Sequence, residues 1–429
     1  MKSFERSSAF VRLVRVLKRL GPGFITGTSD DDPSAIATYS QAGAQFGLTQ
    51  LWTALITWPM MAAIQEMCGR IGMVTGLGLS AAIRRHYARP VLYSVVFTQV
   101  LVNTVNIGAD LSGMAQSGQL LWHIPFLAWL ALTTVVTVSL IVLLPYSTYA
   151  WYLRIVGLTL FSYVATAATI KIDWGAVLYN TFIPTIRLDK AFLLTLVGVL
   201  GTTISPYEFF WQSHEEVEEL VDRRVIASEG ERPPEQALDL KWLRWDTAFG
   251  MFVSNLIMYF IILVSAVTLG QHGITNINTA SDAAEALRPL AGPATFLLFT
   301  IGIMSAGLVS IPVMAASSAY ALGGAFDWPR SLARTFREEP AFYAVIVGSS
   351  LLGLLIDLLP IPVFKLLFYA AVLNGIVAPL KIYIVLRITQ NPRIMGRYTN
   401  SAVTNAFGWV LLVLMTVSLI ALLAFPNST

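Results

Sequence analysis

The stretch that decides the fold reads Gly21-Pro22-Gly23-Phe24-Ile25-Thr26-Gly27-Thr28-Ser29-Asp30-Asp31-Asp32-Pro33-Ser34-Ala35, and its counterpart reads Val199-Leu200-Gly201-Thr202-Thr203-Ile204-Ser205-Pro206-Tyr207-Glu208. Each places Gly, Ser or Thr and then Pro inside an apolar run, after which apolar helix resumes. Proline removes a backbone donor and displaces a carbonyl. In hydrocarbon, backbone groups freed in this way persist only where they line a polar cavity. Both runs are therefore expected to be broken helices, unwound near residues 30–33 and 203–206.

The rest of the chain supplies the membrane. Of 429 residues, 55% are apolar and 12% charged, about half the charge of a soluble domain. A span needs about 20 apolar residues, and eleven runs qualify, near 20–44, 46–71, 91–120, 124–144, 149–169, 190–212, 246–269, 293–322, 341–358, 361–387 and 405–425. The breaks fall in runs one and six, five spans apart. That pattern predicts an all-α polytopic membrane protein with a LeuT-type 5+5 inverted repeat and a substrate site between two broken helices. Residues 1–429 form one transmembrane domain in this reading. Its first repeat is 20–169, its second 190–387, and the helix 405–425 stands outside both.

Basic residues set the orientation. Lys2, Arg6, Arg12, Arg15, Lys18 and Arg19 precede span one. Arg84, Arg85 and Arg89 follow span two, Arg330, Arg334 and Arg337 follow span eight, and Arg387, Arg393 and Arg397 follow span ten. Eleven spans with a cytoplasmic N-terminus put all four clusters inside and the C-terminus outside. The polar loop Gln212 to Asp246 is then cytoplasmic as well. Residues Met1 to Leu20 lack a small-residue cleavage site and do not read as a signal peptide. The net charge of +3 is dispersed, which argues against a nucleic-acid partner. Cys68 is the single cysteine, so no internal disulfide or multi-cysteine centre forms.

Asp30, Asp31 and Asp32 are three consecutive acids in a span. A carboxylate near the bilayer centre costs roughly 3 kcal/mol or more, so either the triplet faces a wet cavity and holds a cation, or it is a loop flanking a shorter span. Asp32, directly before Pro33, is the favoured ligand, with Asp31 beside it and the Ser29 carbonyl converging. From the second break, Glu208, Ser205 and Thr202 are the partners, although Glu208 also reads as a helix-end carboxylate. Asp110, with Asn103 and Asn106 upstream, lines a path or makes structural hydrogen bonds. Glu66 and Arg70 are spaced as a helical ion pair and stay outside the site. No P-loop, no G-x-S-x-G elbow and no second His after His214-Glu215-Glu216 occurs, so neither an ATP motor nor an enzyme is indicated. Asn427-Ser428-Thr429 matches a glycosylation sequon, on terminal residues only.

Gly21-Pro22-Gly23-Phe24, Asp32-Pro33, Gln41-Ala42-Gly43-Ala44 and Arg70-Ile71-Gly72-Met73-Val74-Thr75-Gly76 together resemble helices one and two of the NRAMP metal-ion transporters. In that family the metal is held by the Asp and Asn of D-P-G-N, a helix-six Met of M-P-H, and carbonyls. The resemblance puts Asp32 at the Asp, Ala35 at the Asn, Ser205 at the Met and Tyr207 at the His. Soft thioether is thus replaced by oxygen, and hard oxygen ligands suit Mg²⁺, which is held through one or two carboxylates and keeps waters. This is similar to the NRAMP-related magnesium transporter branch. The family's helix-three acids fall at Asp110 and Gly113, and span nine has no Arg, so most of its proton relay is missing.

The expectation is a proton-uncoupled, uniport-like carrier of Mg²⁺ and Mn²⁺ in the cell membrane, with a bacterial inner membrane as its setting. It has no cofactor other than the transported ion and no obligate protein partner. Proton-coupled Mn²⁺ or Fe²⁺ transport is the alternative, followed by an organic-solute carrier of the same fold. Three acids at the break speak against the anionic group such a carrier would bind.

Overall fold

The computed structural model describes residues 21–143, 158–270, 273–332, 334–356 and 360–424. The basic segment before Gly21, the first part of span five and the terminal sequon lie outside them. The described residues contain helices and no strand.

Span one is two helices. α1 (Pro22–Ser29) stops at the acids, and α2 (Pro33–Phe46) starts on Asp32 as N-cap with Pro33 in its first turn, where proline's missing N–H costs nothing. Next come α3 (Leu51–Thr75), α4 (Leu79–His86), α5 (Arg89–Gln119), α6 (Phe126–Leu143), α7 (Ser162–Thr169) and α8 (Trp174–Phe182). Span six is again two helices, α9 (Lys190–Ile204) and α10 (Tyr207–Asp222). The chain continues through α11 (Leu240–Thr268), α12 (Thr295–Phe326), α13 (Pro340–Ile356), α14 (Val363–Thr389) and α15 (Ala402–Ala424).

Seven helical runs among the described residues are long and apolar enough to cross a membrane, and they match predicted spans three, four, six, seven, eight, ten and eleven. The other four fall short for identifiable reasons. The break divides span one, and Gln65, Glu66 and Arg70 dilute α3. Span five lies partly outside the described residues, and α13 has 17 residues. Leu127, Val135, Leu352, Leu355, Val413 and Ile420 project outward from α6, α13 and α15, an apolar girdle that lipid would cover.

The loop expected over 212–246 is shorter than its composition suggests. α10 runs on to Asp222 and α11 begins at Leu240. Val217 and Leu220 recur on one face of α10 and are buried with Ile226, which holds this acid-rich stretch as helix.

Packing brings the two breaks together. Span one lies on α11, and span six lies on α3 through α10. These contacts exchange when every span is shifted by five, as an inverted repeat requires. Gly27 makes the first contact possible: a Cβ there would sit 2.2 Å from the Gly250 carbonyl carbon.

Candidate metal site

At the first break, Asp32 Oδ1 accepts from the Ala35 N–H and from Ser34 Oγ, each at 2.7 Å. That oxygen is committed to capping α2. Oδ2 is buried with no hydrogen-bond partner in the structure. Asp30 accepts from Ser254 Oγ of α11 at 2.7 Å through Oδ2 and lies beside Ser205 of the second break. Its Oδ1 is also buried without a partner. Asp31 is held more weakly, 3.4 Å from the same Ser254 hydroxyl.

At the second break, Ser205 occupies the left-handed region with φ of 40°, an uncommon conformation for a residue with a Cβ, and its hydroxyl donates to the Thr202 carbonyl. Thr202 Oγ1 is buried and unpartnered. Glu208 accepts from Ser29 Oγ at 3.3 Å and from Gln65 Nε2 at 3.0 Å. The Tyr207 hydroxyl donates to the Ser29 carbonyl at 3.3 Å.

The structure therefore brings Ser29, Glu208 and Tyr207 into direct contact, and Asp30 beside Ser205. Asp32, Asp31 and Thr202 stand at the same two breaks, and Ala35 enters through its backbone N–H. Asp110 stands apart, bonded to Ser310 of α12 at 3.3 Å. Glu66 and Arg70 form the expected ion pair. Two contributors escaped the sequence reading, Gln65 and Ser254, and Asp30 entered it only as a member of the acidic triplet. A polar residue isolated on an apolar helix gives no periodic signal, although Ser254-Asn255 inside span seven was a visible clue.

Asp30, Asp31, Asp32 and Glu208 are at most 3% exposed. A cavity of about 370 Å³ lies between α2, α9 and α14, lined by Gln41, Gln45, Asn276 and Lys365 among others. Another, of about 1230 Å³, lies at the arginine-rich end beside Arg84, Arg85, His214, Glu218 and Arg330. Among the described residues, no three His, Cys, Asp or Glu side chains converge as a ligand set.

Residues 23–425 match the family described as Nramp, natural resistance-associated macrophage protein-like. The divalent metal cation transporter MntH of Verminephrobacter eiseniae is 27% identical, with 98% of this chain and 92% of the relative aligned. MntH of Klebsiella pneumoniae is also 27% identical, over 95% and 94% of the two chains. A manganese transporter from Eremococcus coleocola superposes with a TM-score of 0.76 at 15% identity, covering 98% of this chain and 89% of the other. Mhp1, a nucleobase-cation-symport-1 family transporter, shares the fold with a TM-score of 0.55 at 14% identity over 94% and 90%. With broken helices one and six in a LeuT-type arrangement and a family match over nearly its whole length, this chain belongs to the Nramp family.

Proposed function

We propose that the protein carries divalent metal cations across the membrane by alternating access, with Mg²⁺ and Mn²⁺ as substrates and without proton coupling. Family membership makes it a transporter and not an enzyme. The observation that carries the ionic reading is the set of buried oxygens with no partner at the two breaks: Asp32 Oδ2, Asp30 Oδ1 and Thr202 Oγ1. Leaving a buried acceptor unsatisfied costs about 1–3 kcal/mol, more for a charged group, and a divalent cation would offset it.

The ligand set is hard. Carboxylate, hydroxyl and the Ser29 carbonyl suit Mg²⁺ and Mn²⁺, and Ser205 offers no thioether to select a softer metal. With so few converging acids, the ion retains part of its water shell, as Mg²⁺ usually does. Ion arrival would draw Glu208 from Ser29 and Gln65 or recruit it through water. The relatives named for divalent metal and manganese transport support the substrate class. The oxygen-only chemistry of this site supports the extension to Mg²⁺.

The missing relay supports uncoupled transport. Gly113 occupies the family's second acidic position, where a Cβ would already meet Leu367 at 3.2 Å and Pro33 at 3.4 Å. That space is packed rather than wet. The two repeats, residues 20–169 and 190–387, would rock about the breaks, with the N-terminus cytoplasmic and the C-terminus outside. Uptake of Mn²⁺ and Mg²⁺ into liposomes tests the reading. Asp32→Ala is expected to abolish both, and undiminished uptake by a folded Asp32→Ala protein would place the cation elsewhere.

A further inference from the structure

α14 buries a lysine that is hydrogen-bonded to none of the acids at the breaks. Lys381 is 2% exposed. Its Nζ donates to Gln99 Oε1 of α5 at 2.5 Å, and among the described residues it has no carboxylate partner. An ammonium in the membrane interior is expensive. A methionine of similar length would fill the space without that cost, so packing alone does not account for the charge.

The hydrogen bonds beyond it lead to the second helix break. Gln99 Nε2 donates to Ser317 Oγ of α12 and to Asn103 Oδ1, both at 3.1 Å. The Ser317 hydroxyl donates to the Tyr207 carbonyl, in the first turn of α10, at 2.6 Å. Asn103 Nδ2 ties the same face of α5 to α12 through the Met314 carbonyl and Ser318 Oγ, each at 2.9 Å. Every side chain in the chain of bonds is buried.

Lysine fixes the polarity of this chain. It has donors and no acceptor, so only the amide oxygen of Gln99 can face it. The amide nitrogen must then point to Ser317 and Asn103. Ser317, accepting from that nitrogen, directs its own proton to the Tyr207 carbonyl. Asn103 Oδ1 holds the Gln99 amide in the same orientation. Without the lysine that restraint stands alone and Gln99 Oε1 is left buried without its donor, so Ser317 is held to the break less firmly.

We propose that Lys381 is a positioning residue for the helix-six break, pinning Tyr207 to the α5–α12 frame through Gln99 and Ser317 and so governing how readily the break rearranges in transport. This rests on the transporter reading only insofar as the break moves during turnover. The network touches no proposed ion-binding oxygen, so it bears on the maximal rate rather than on ion affinity.

The test uses the full-length protein in liposomes, with Mn²⁺ uptake, Mn²⁺ calorimetry and ion-free hydrogen exchange over residues 199–211. Lys381→Met removes the donor. Gln99→Glu keeps an acceptor for the lysine but removes the donor to Ser317. Ser317→Ala leaves both partners and favours helix. All three are expected to lower the maximal rate about tenfold, equivalent to ~1.4 kcal/mol, with KM and Kd within about twofold and faster exchange around Tyr207. Lys381→Arg, again donors only, is expected to recover part of the rate. Wild-type rate and exchange in Ser317→Ala overturns the proposal, even where the lysine variant fails to fold. A normal Gln99→Glu beside a slow Lys381→Met also overturns it, because the lysine would then act by charge alone. If the unaltered protein takes up neither Mn²⁺ nor Mg²⁺, the transporter reading fails, and the exchange comparison still decides this one.

Discussion

Asp32 divides its work between two oxygens, and two substitutions can separate them. Oδ1 caps α2 through Ala35 and Ser34, while Oδ2 is buried without a partner and is the oxygen proposed to meet the ion. Asn caps as well as Asp, whereas Ala in place of a cap costs about 1 kcal/mol. Asp32→Asn is therefore expected to lose Mn²⁺ binding with its melting temperature held, and Asp32→Ala to lose binding and melt a few degrees lower. Calorimetry and thermal unfolding check the pair; retained binding in Asp32→Asn would mean that the charge is dispensable. Glu208 already has Ser29 and Gln65 as partners, so Glu208→Ala should weaken uptake without abolishing it. Complete loss of uptake in the folded variant would make it an obligatory ligand. At this scale the sequence announced what proline marks, namely Asp32 before Pro33 and Glu208 after Pro206. It was silent on Gln65 and Ser254 because their roles arise only when α3 and α11 pack on the breaks.

At the scale of elements, the broken helices depend on close backbone contact as much as on proline. α1 has no capping side chain of its own; Asp246 of α11 accepts from the Gly21 and Phe24 N–H groups at 3.0 and 3.2 Å instead. Gly27 lets α1 lie against Gly250. Gly27→Ala forces backbone apart and is expected to cost about 1–3 kcal/mol, the range for overpacking. Gly348→Ala on α13, where nothing lies within 4 Å, should be neutral or mildly stabilising on helix propensity. Thermal melts of the two variants check this, and equal stability would show that α1 does not depend on the contact. The breaks were legible because two prolines interrupt apolar runs at matched positions. The length of α10 was not, because Glu215, Glu216, Glu218 and Glu219 mask the apolar spacing of Val217 and Leu220 in any hydropathy reading. The polar stripe Asn103, Asn106 and Asp110 was visible too, without Gln99. Its use as interhelix bonding depends on partners from α12 and α14 that no local pattern reveals.

For the molecule as a whole, the question is what drives the ion. By the resemblance of the helices, Gly113 and Tyr207 fall where the family has a second helix-three acid and a helix-six histidine, and the Tyr207 hydroxyl is engaged with the Ser29 carbonyl. A divalent cation entering a cell at 100 mV gains about 4.6 kcal/mol, at roughly 2.3 per charge, so net uptake needs no proton. An oxygen-lined site of the kind proposed would weaken discrimination by softness, so Mg²⁺ and Mn²⁺ should compete for it with affinities below those of a thioether-containing site. Liposomes clamped at a negative interior potential, reporting Mg²⁺, Mn²⁺ and luminal pH in parallel, test both expectations. The expected result is entry of both ions, faster at more negative potential, with no acidification of the lumen. Entry of Mn²⁺ with exclusion of Mg²⁺ would overturn the selectivity. Proton entry in fixed ratio to the metal would overturn the uncoupled mechanism and direct attention to Asp110 and Glu208, two buried acids outside the Asp triplet.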